Sequence, residues 1–193
     1  MLGLGNQISQ GSVLGFSNLD AIDFDGIDEY LIKDVTNFRS SDTQGTLAAW
    51  IKTTATTGTI FSSSDVIADD YHFQFGVYQS KLNIWLQNGG SSMQVQSNST
   101  VNSGSWTFVA LSSNGTRHQM YINGGSLTTL FINTASGEWL GDIIDRDNIT
   151  IGVLKRSNFA DHLDGTIDEV GIWSVELSTS ELNAVYNSGK PIA

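Results

Sequence analysis

The sequence predicts an all-β protein built as a two-sheet antiparallel sandwich with one short C-terminal helix. Short segments rich in β-branched and aromatic residues recur along the chain, bounded by Gly, Asn and Ser. Several alternate apolar and polar residues with period two, the pattern of a strand with one buried face. Composition agrees: of 193 residues, 39% are hydrophobic and 15% charged, with 20 Gly. That polar but weakly charged, glycine-bearing mixture suits many strands joined by turns.

Taken in order, residues 1–20 lack periodicity and carry Gly3, Gly5, Gly11 and Gly15, so they read as an extended arm. The globular domain is expected over 21–193. Strands are expected at Ala21–Phe24, Glu29–Ile32, Gly45–Thr53, Gly58–Ser62, Tyr71–Tyr78 and Lys81–Gln87. Further strands are expected at Met93–Ser97, Trp106–Ser112, Gln119–Ile122, Leu127–Ile132, Ile149–Leu154 and Gly165–Trp173. Tyr71, Phe73, Phe75 and Val77 alternate with His72, Gln74 and Gly76. After the turn Gln79-Ser80, Leu82, Ile84 and Leu86 share one face and Trp85 falls on the other. Asn123-Gly124 is a type I′ hairpin signal, because both central positions of that turn need positive φ. The segment Asn133–Asn148 follows no strand pattern and reads as a long loop. Ser178-Thr179-Ser180-Glu181 has capping-box spacing, Leu182, Val185 and Tyr186 give an apolar stripe, and Gly189 with Pro191 ends the helix.

The charge sum, 9 − 20 = −11, opposes phosphate backbones and anionic membrane surfaces, since nucleic-acid binding rests on Lys and Arg displacing counterions. With no cysteine, disulfides, thiolate metal sites and a Cys nucleophile are excluded. No run approaches the roughly 20 apolar residues of a membrane helix. Met1–Gln10 lacks the basic start and apolar run of a secretory signal, so the chain is expected to stay where it is made or to be a fragment.

Six segments resemble motifs of one family. Phe24-Asp25-Gly26-Ile27-Asp28-Glu29-Tyr30-Leu31 resembles its opening strand, Leu47–Lys52 its Trp-bearing strand, and Gly104–Ala110 its "G-x-W" strand, with Phe108 in place of a histidine. Tyr121-Ile122-Asn123-Gly124, Leu163–Trp173 and the helix Glu181–Tyr186 follow in the family's order. The chain over about residues 21–188 is therefore similar to the laminin-G-like, concanavalin A-like lectin/glucanase family. That resemblance implies a jelly-roll sandwich, often with bound calcium, used to bind glycans or proteins; it does not by itself name a ligand.

Some relatives on this fold are retaining glucanases, which resemble one another through an acidic strand. Such hydrolysis needs two carboxyl groups about 5–5.5 Å apart. The nearest segment here, Ile167-Asp168-Glu169-Val170, holds adjacent acids that an unbroken strand points to opposite faces. His72, His118 and His162 have no metal or triad spacing and read as surface or satisfied polar residues, and no Gly-x-Ser-x-Gly elbow occurs. The expectation is a non-catalytic protein.

Three acidic clusters merit attention for calcium, which takes six to eight oxygen ligands. If the strands pair as the resemblance implies, Asp25 and Asp28 on the opening hairpin meet Asp168 at one end of the sandwich; alternatively Asp25-Gly26 is turn chemistry and Asp28 a solvated charge. Asp65, Asp69 and Asp70 read as a solubilising loop. Asp142, Asp145 and Asp147 lie in the long loop with Glu138, Trp139 and Arg146. There Glu138, Trp139, Asp142 and Arg146 offer the flat apolar face and polar groups of a ligand-binding rim, unless Trp139 caps the core edge. Trp50, Trp106 and Trp173 fall inside strand motifs and are expected in the core. Trp85 is expected on the second face of its sheet, where a concave-face ligand or a neighbouring subunit would meet it.

Two functional expectations follow. One is a phage virion-surface protein, a capsid decoration or tail adhesin, attached through its Gly-rich arm to neighbouring virion subunits in a homo-oligomer or larger assembly. The opening Met-Leu-Gly-Leu-Gly-Asn is similar to starts of marine-phage structural proteins. The alternative is an extracellular, carbohydrate-binding lectin-like module of a secreted bacterial protein that binds cell-surface glycans.

Overall fold

The computed structural model describes residues 21–36, 38–127, 129–131 and 137–189. The expected arm over 1–20, Ile132, the start of the long loop and Pro191 lie outside the described residues. Strands β1 (Ile22–Asp25), β3 (Gly45–Thr53), β8 (Thr107–Ser113), β9 (His118–Ile122), β10 (Gly125–Leu127) and β15 (Asp164–Trp173) form one sheet in the order β1-β15-β3-β8-β9-β10. The second sheet contains β2 (Leu31–Asp34), β4 (Thr57–Ser64), β5 (Tyr71–Tyr78), β6 (Lys81–Asn88), β7 (Ser91–Thr100), β11 (Thr129–Phe131) and β12 (Asn148–Ile151). Its order is β11-β7-β6-β5-β4-β12-β2. A small hairpin pairs β13 (Leu154–Lys155) with β14 (Phe159–Ala160), and α1 (Thr179–Tyr186) closes the described chain. All strand pairings are antiparallel, and the jelly-roll sandwich expected from the sequence is what forms.

Period-two patterning sets the registers. Phe75 lies opposite Ile84, which lies opposite Val95, and all three face the interior between the sheets. Leu47, Ala49 and Ile51 of β3 and Val109 and Leu111 of β8 meet them from the other sheet. The alternate residues of β3 and β8 are buried as well. Ala48, Trp50, Phe108, Ala110 and Tyr121 form a second core on the far side of the first sheet, closed by Leu177 and Leu182 under α1. Trp50 stacks on Tyr186 with ring centroids 5.5 Å apart. This core holds the three expected core tryptophans: Trp50 is buried, whereas Trp106 and Trp173 are half-buried at its margin.

The two predicted hairpins take left-handed turns, with φ of 51° and 67° at Gln79-Ser80 and 50° and 76° at Asn123-Gly124. The capping box forms: Glu181 N–H donates to Ser178 Oγ and the Glu181 carboxylate accepts from Ser178 N–H. The helix stops earlier than Gly189 and Pro191 imply. Asn187 takes the left-handed conformation and its N–H bonds Ala184 O, a role asparagine fills when no glycine is in place. On β15, a bulge between Asp168 and Gly171 with Glu169 at φ 51° breaks the alternation assumed for Asp168 and Glu169.

Candidate functional site

On the outer face of the second sheet, β5, β6 and β7 present the residues that alternate with the core: His72, Gln74, Gly76 and Tyr78, then Asn83, Trp85 and Gln87, then Ser92, Gln94 and Gln96. The strand order puts Gln74, Trp85 and Gln94 side by side across three strands. The segment 152–163 crosses the same face beside them. It is tied down by Ser62 Oγ donating to Val153 O, Asn148 Nδ2 donating to Lys155 O at 3.2 Å, and Asp161 O accepting from Thr59 N–H at 2.9 Å. Floor and wall enclose a cleft of about 190 Å³, lined by Thr57, Gln74, Gly76, Val77, Tyr78, Asn83, Trp85, Gln94 and Asp161. A side chain at position 76 would run into the backbone of Gly58 on β4, so glycine is required there and the floor stays low.

Hydrogen bonds fix the polar lining. Gln74 Nε2 donates to Thr59 Oγ1 at 2.8 Å and to Asp161 Oδ2 at 2.9 Å, and Gln94 Nε2 donates to Asn83 Oδ1 at 2.9 Å. These bonds engage NH₂ ends, and the side-chain carbonyls of Gln74 and Gln94 are acceptors suited to hydroxyl donors. Trp85 is half-buried and Nε1 donates to Ser92 Oγ at 3.1 Å. Its ring is braced by the edge of His72, with centroids 4.5 Å apart, and by the Arg156 guanidinium 5.6 Å from its centroid. Arg156 in turn faces Asp69, whose carboxylate is held below its ordinary pKa by the Ser157 hydroxyl first and by Arg156 as well. Tyr78, 40% exposed, borders the cleft from the other side of Gly76. The cleft is thus amide-lined, with an aromatic ring at each margin and one carboxylate among its lining residues.

The other residues singled out from sequence scatter. Trp139 is completely buried, its ring meeting Phe73 edge-on at 5.2 Å, and it presents no face to a ligand. The long loop's described part turns inward because Leu140 and Ile143 also belong to the core, so the rim reading of Trp139 is corrected to its core alternative. Arg146 is buried too. Its guanidinium donates to Ile143 O at 3.0 Å, Ser63 Oγ at 2.7 Å, Phe38 O at 3.0 Å and Leu140 O, and so serves as an internal cross-link and not a rim cation. Glu138 and Asp142 line a smaller cleft of about 130 Å³ with Asn88, Ser91 and Ser92, next to Trp85 through their shared neighbour Ser92. Asp142 is already engaged by Trp139 N–H at 2.7 Å.

Asp25, Asp28 and Asp168 do not converge. Asp25 pairs with Asp164, and Asp168 lies four residues further along β15, about 13 Å away at roughly 3.3 Å per residue. Asp25 Oδ1 instead accepts the N–H groups of Ile27 and Asp28 at 2.8 and 3.2 Å, which lowers its pKa, with the Ile27 bond the larger cause. These three do not fit one calcium ion, and among the described residues no group of three His, Asp or Glu side chains could hold a metal. His72 and His118 are buried, each with one ring nitrogen hydrogen-bonded, so for these two the satisfied-polar half of the sequence reading applies and the surface half does not. Nδ1 of His72 donates to Asp69 O at 3.2 Å and Nε2 of His118 to Glu138 O at 2.9 Å. Burial lowers both imidazoles to about 4, helped at His72 by the Arg156 charge.

Sequence patterning identified Trp85 but missed Tyr78, Asn83, Gln94 and Asp161. Asn83 shares Trp85's face on the same strand, and Tyr78 and Gln94 share it on the two adjacent strands, a signal present once the strands are aligned; Asp161 sits in a connection with no periodicity.

A family model described as the concanavalin A-like lectin/glucanases superfamily matches residues 25–183. No curated protein matches the chain. Among solved structures, the CBM40 of the Ruminococcus gnavus IT-sialidase, bound to alpha2,3 sialyllactose, superposes with a TM-score of 0.70 at 21% identity, over 86% of this chain and 95% of that one. The SAP-like pentraxin of Limulus polyphemus gives 0.61 at 22% identity over 86% and 80%. Domains LG4-5 of the mouse laminin alpha1 chain give 0.62 at 13% identity over 93% and 48%. At these identities the likeness is one of fold.

Proposed function

The chain belongs to the concanavalin A-like lectin/glucanase superfamily, and we propose on that premise that it is a carbohydrate-binding, lectin-like module whose ligand lies in the Trp85 cleft. The observation that carries this reading is the pairing of Trp85 and Tyr78 with Gln74, Asn83 and Gln94 on one low sheet floor. A sugar ring needs an apolar surface for its C–H groups and fixed polar partners for its hydroxyls, and a shallow cleft of rings and amides supplies both. The CBM40 neighbour, which binds sialyllactose, lends the carbohydrate class support. We read the module as non-catalytic, because among the described residues Asp161 is the one carboxylate lining the cleft and is engaged by Gln74, whereas most glycoside hydrolysis uses two carboxyl groups. The virion-surface reading draws chiefly on the Gly-rich first twenty residues and on the lack of a secretory signal, and the lectin-like alternative fits the cleft better.

The test is a glycan array probed with the labelled full chain, followed by calorimetric titration of the strongest neutral and sialylated hits. Trp85→Ala and Asn83→Ala are expected to weaken binding at least tenfold with unchanged melting temperature. Binding unaffected by both substitutions, or no binding to any glycan, overturns the proposal.

A further inference from the structure

We propose that the Trp85 cleft takes uncharged, hydroxyl-rich glycans and turns away acidic ones, with Asp161 as the residue that sets the choice. This inference rests on the carbohydrate reading above and adds the chemical class of the sugar. Gln74 uses both protons of its amide nitrogen, one on Thr59 Oγ1 and one on Asp161 Oδ2. A carboxylate only accepts, so the NH₂ end of Gln74 must face Asp161 and its carbonyl is left as an acceptor. Gln94 donates to Asn83 Oδ1, which leaves the Gln94 carbonyl and the Asn83 NH₂ for a ligand. Thr57 and Tyr78 add hydroxyls that serve either way. These groups suit sugar hydroxyls, which both donate and accept.

The charge then decides the class. Among the described residues lining the cleft there is one carboxylate and no Lys or Arg. No ion pair neutralises Asp161 among the described residues. Its position is fixed: the backbone takes φ 50°, its carbonyl accepts from Thr59 N–H at 2.9 Å, and its carboxylate accepts from Gln74 at 2.9 Å. The nearby cations are engaged elsewhere. Arg156 lies over the Trp85 ring facing Asp69, and Lys155 Nζ donates to Arg156 O and sits 4.8 Å from the Phe159 ring centroid. Lys81, opposite Tyr78 at the hairpin end, is outside the lining. A hydroxyl that donates to Asp161 gains a charge-assisted hydrogen bond, roughly twice as strong as a neutral one. A sugar carboxylate or sulfate in the same place meets like charge and loses hydration with no cation to replace it.

The test is a glycan array holding neutral oligosaccharides beside matched forms in which one sugar is sialylated or is a uronic acid. Calorimetric titration of the best matched pair with the full chain follows. The neutral member is expected to bind at least tenfold more tightly at low salt, and the ratio to shrink as salt screens the repulsion. Asp161→Asn keeps an acceptor for Gln74 and a residue type suited to φ 50°. It is expected to bring the ratio below threefold, weakening the neutral member and strengthening the acidic one. Asp23→Asn removes an exposed charge from edge strand β1 of the other sheet and is expected to leave the ratio unchanged. Acidic glycans bound as tightly as their neutral partners overturn the inference while the carbohydrate reading stands. So does a ratio that Asp161→Asn leaves unmoved or that Asp23→Asn moves equally. If Asp161→Asn fails to fold, the wild-type ratio and its salt dependence decide. Binding to no glycan at all overturns both readings.

Discussion

Single side chains show where reading by residue type succeeds and where it misleads. Trp139 and Trp85 look alike in sequence, each an aromatic beside polar residues, yet one is fully buried and the other borders the cleft. Trp85 was legible because period two fixes its face; Trp139 sits in an aperiodic segment whose inward turn depends on contacts far along the chain. Arg146 misleads for the same reason. Burial lowers its pKa to about 10, so it remains cationic at neutral pH, compensated by four acceptors and no carboxylate. Arg146→Met is expected to destabilise the fold by about 3 kcal/mol or more, since each buried acceptor stripped of its donor costs about 1–3 kcal/mol. Arg146→Lys should recover only part of this, because an ammonium cannot reproduce the planar fork. Urea unfolding midpoints at unchanged slope would measure both. The buried histidines set a pH dependence. Unfolded imidazoles take up protons below about 6.5, but folded His72 and His118 do so only below about 4. Between these values unfolding absorbs protons, so stability falls as pH drops from about 6.5 to 4, by roughly 3 kcal/mol per histidine. His118→Gln, which keeps a donor toward Glu138 O, should flatten the slope by about half; a wild-type stability constant across this window would contradict the assignment.

Secondary-structure elements were legible in proportion to their periodicity. β3 and β5 appear with the bounds read from sequence, Gly45–Thr53 and Tyr71–Tyr78, because nine and eight residues of consistent patterning leave little choice of register. β13 and β14, two residues each, carry no such signal, and the second half of the expected strand Ile149–Leu154 instead turns at Gly152 to begin the cleft wall. The helix was legible through its cap, and its energetics can be ranked. Ser178→Ala removes the acceptor for Glu181 N–H and is expected to cost about 1 kcal/mol. Leu182→Ala, at a fully buried position of the second core, should cost about 2–5 kcal/mol. Reversible denaturation of the two variants tests the ranking, and a cap variant costlier than the core variant would place the helix's stability in its terminus. The Ser178 bonds lower the pKa of Glu181, so the cap's contribution is present above the ordinary carboxylate range and fades as pH falls through the lowered value.

At the scale of the molecule, the same features that made the fold legible delay its formation. Motif order identified the family because each strand carries its own signature, but the sheets join strands from opposite ends of the chain. β15 sits between β1 and β3, and Thr166 bonds Asp23 across a separation of 143 residues. Until β15 is present, β1 has no strand partner and β3 is an edge. A chain ending at residue 163 is therefore expected to remain unfolded by far-UV circular dichroism and one-dimensional NMR. For the full chain, closing loops of this length precedes the contacts that reward closure, so refolding belongs in the millisecond-to-second range of sandwich proteins, not the microsecond range of helical bundles. The sequence contains one proline, Pro191, which lies beyond every described strand and helix. Phases of tens of seconds from prolyl isomerisation should accordingly be minor or absent. Stopped-flow tryptophan fluorescence reads this directly, since Trp139 reports the inter-sheet core, Trp50 the helix-side core and Trp85 the cleft. If both cores form only when β15 docks, the single-tryptophan variants retaining Trp139 or Trp50 should give one common rate; separated rates would mean that the helix-side core assembles on its own.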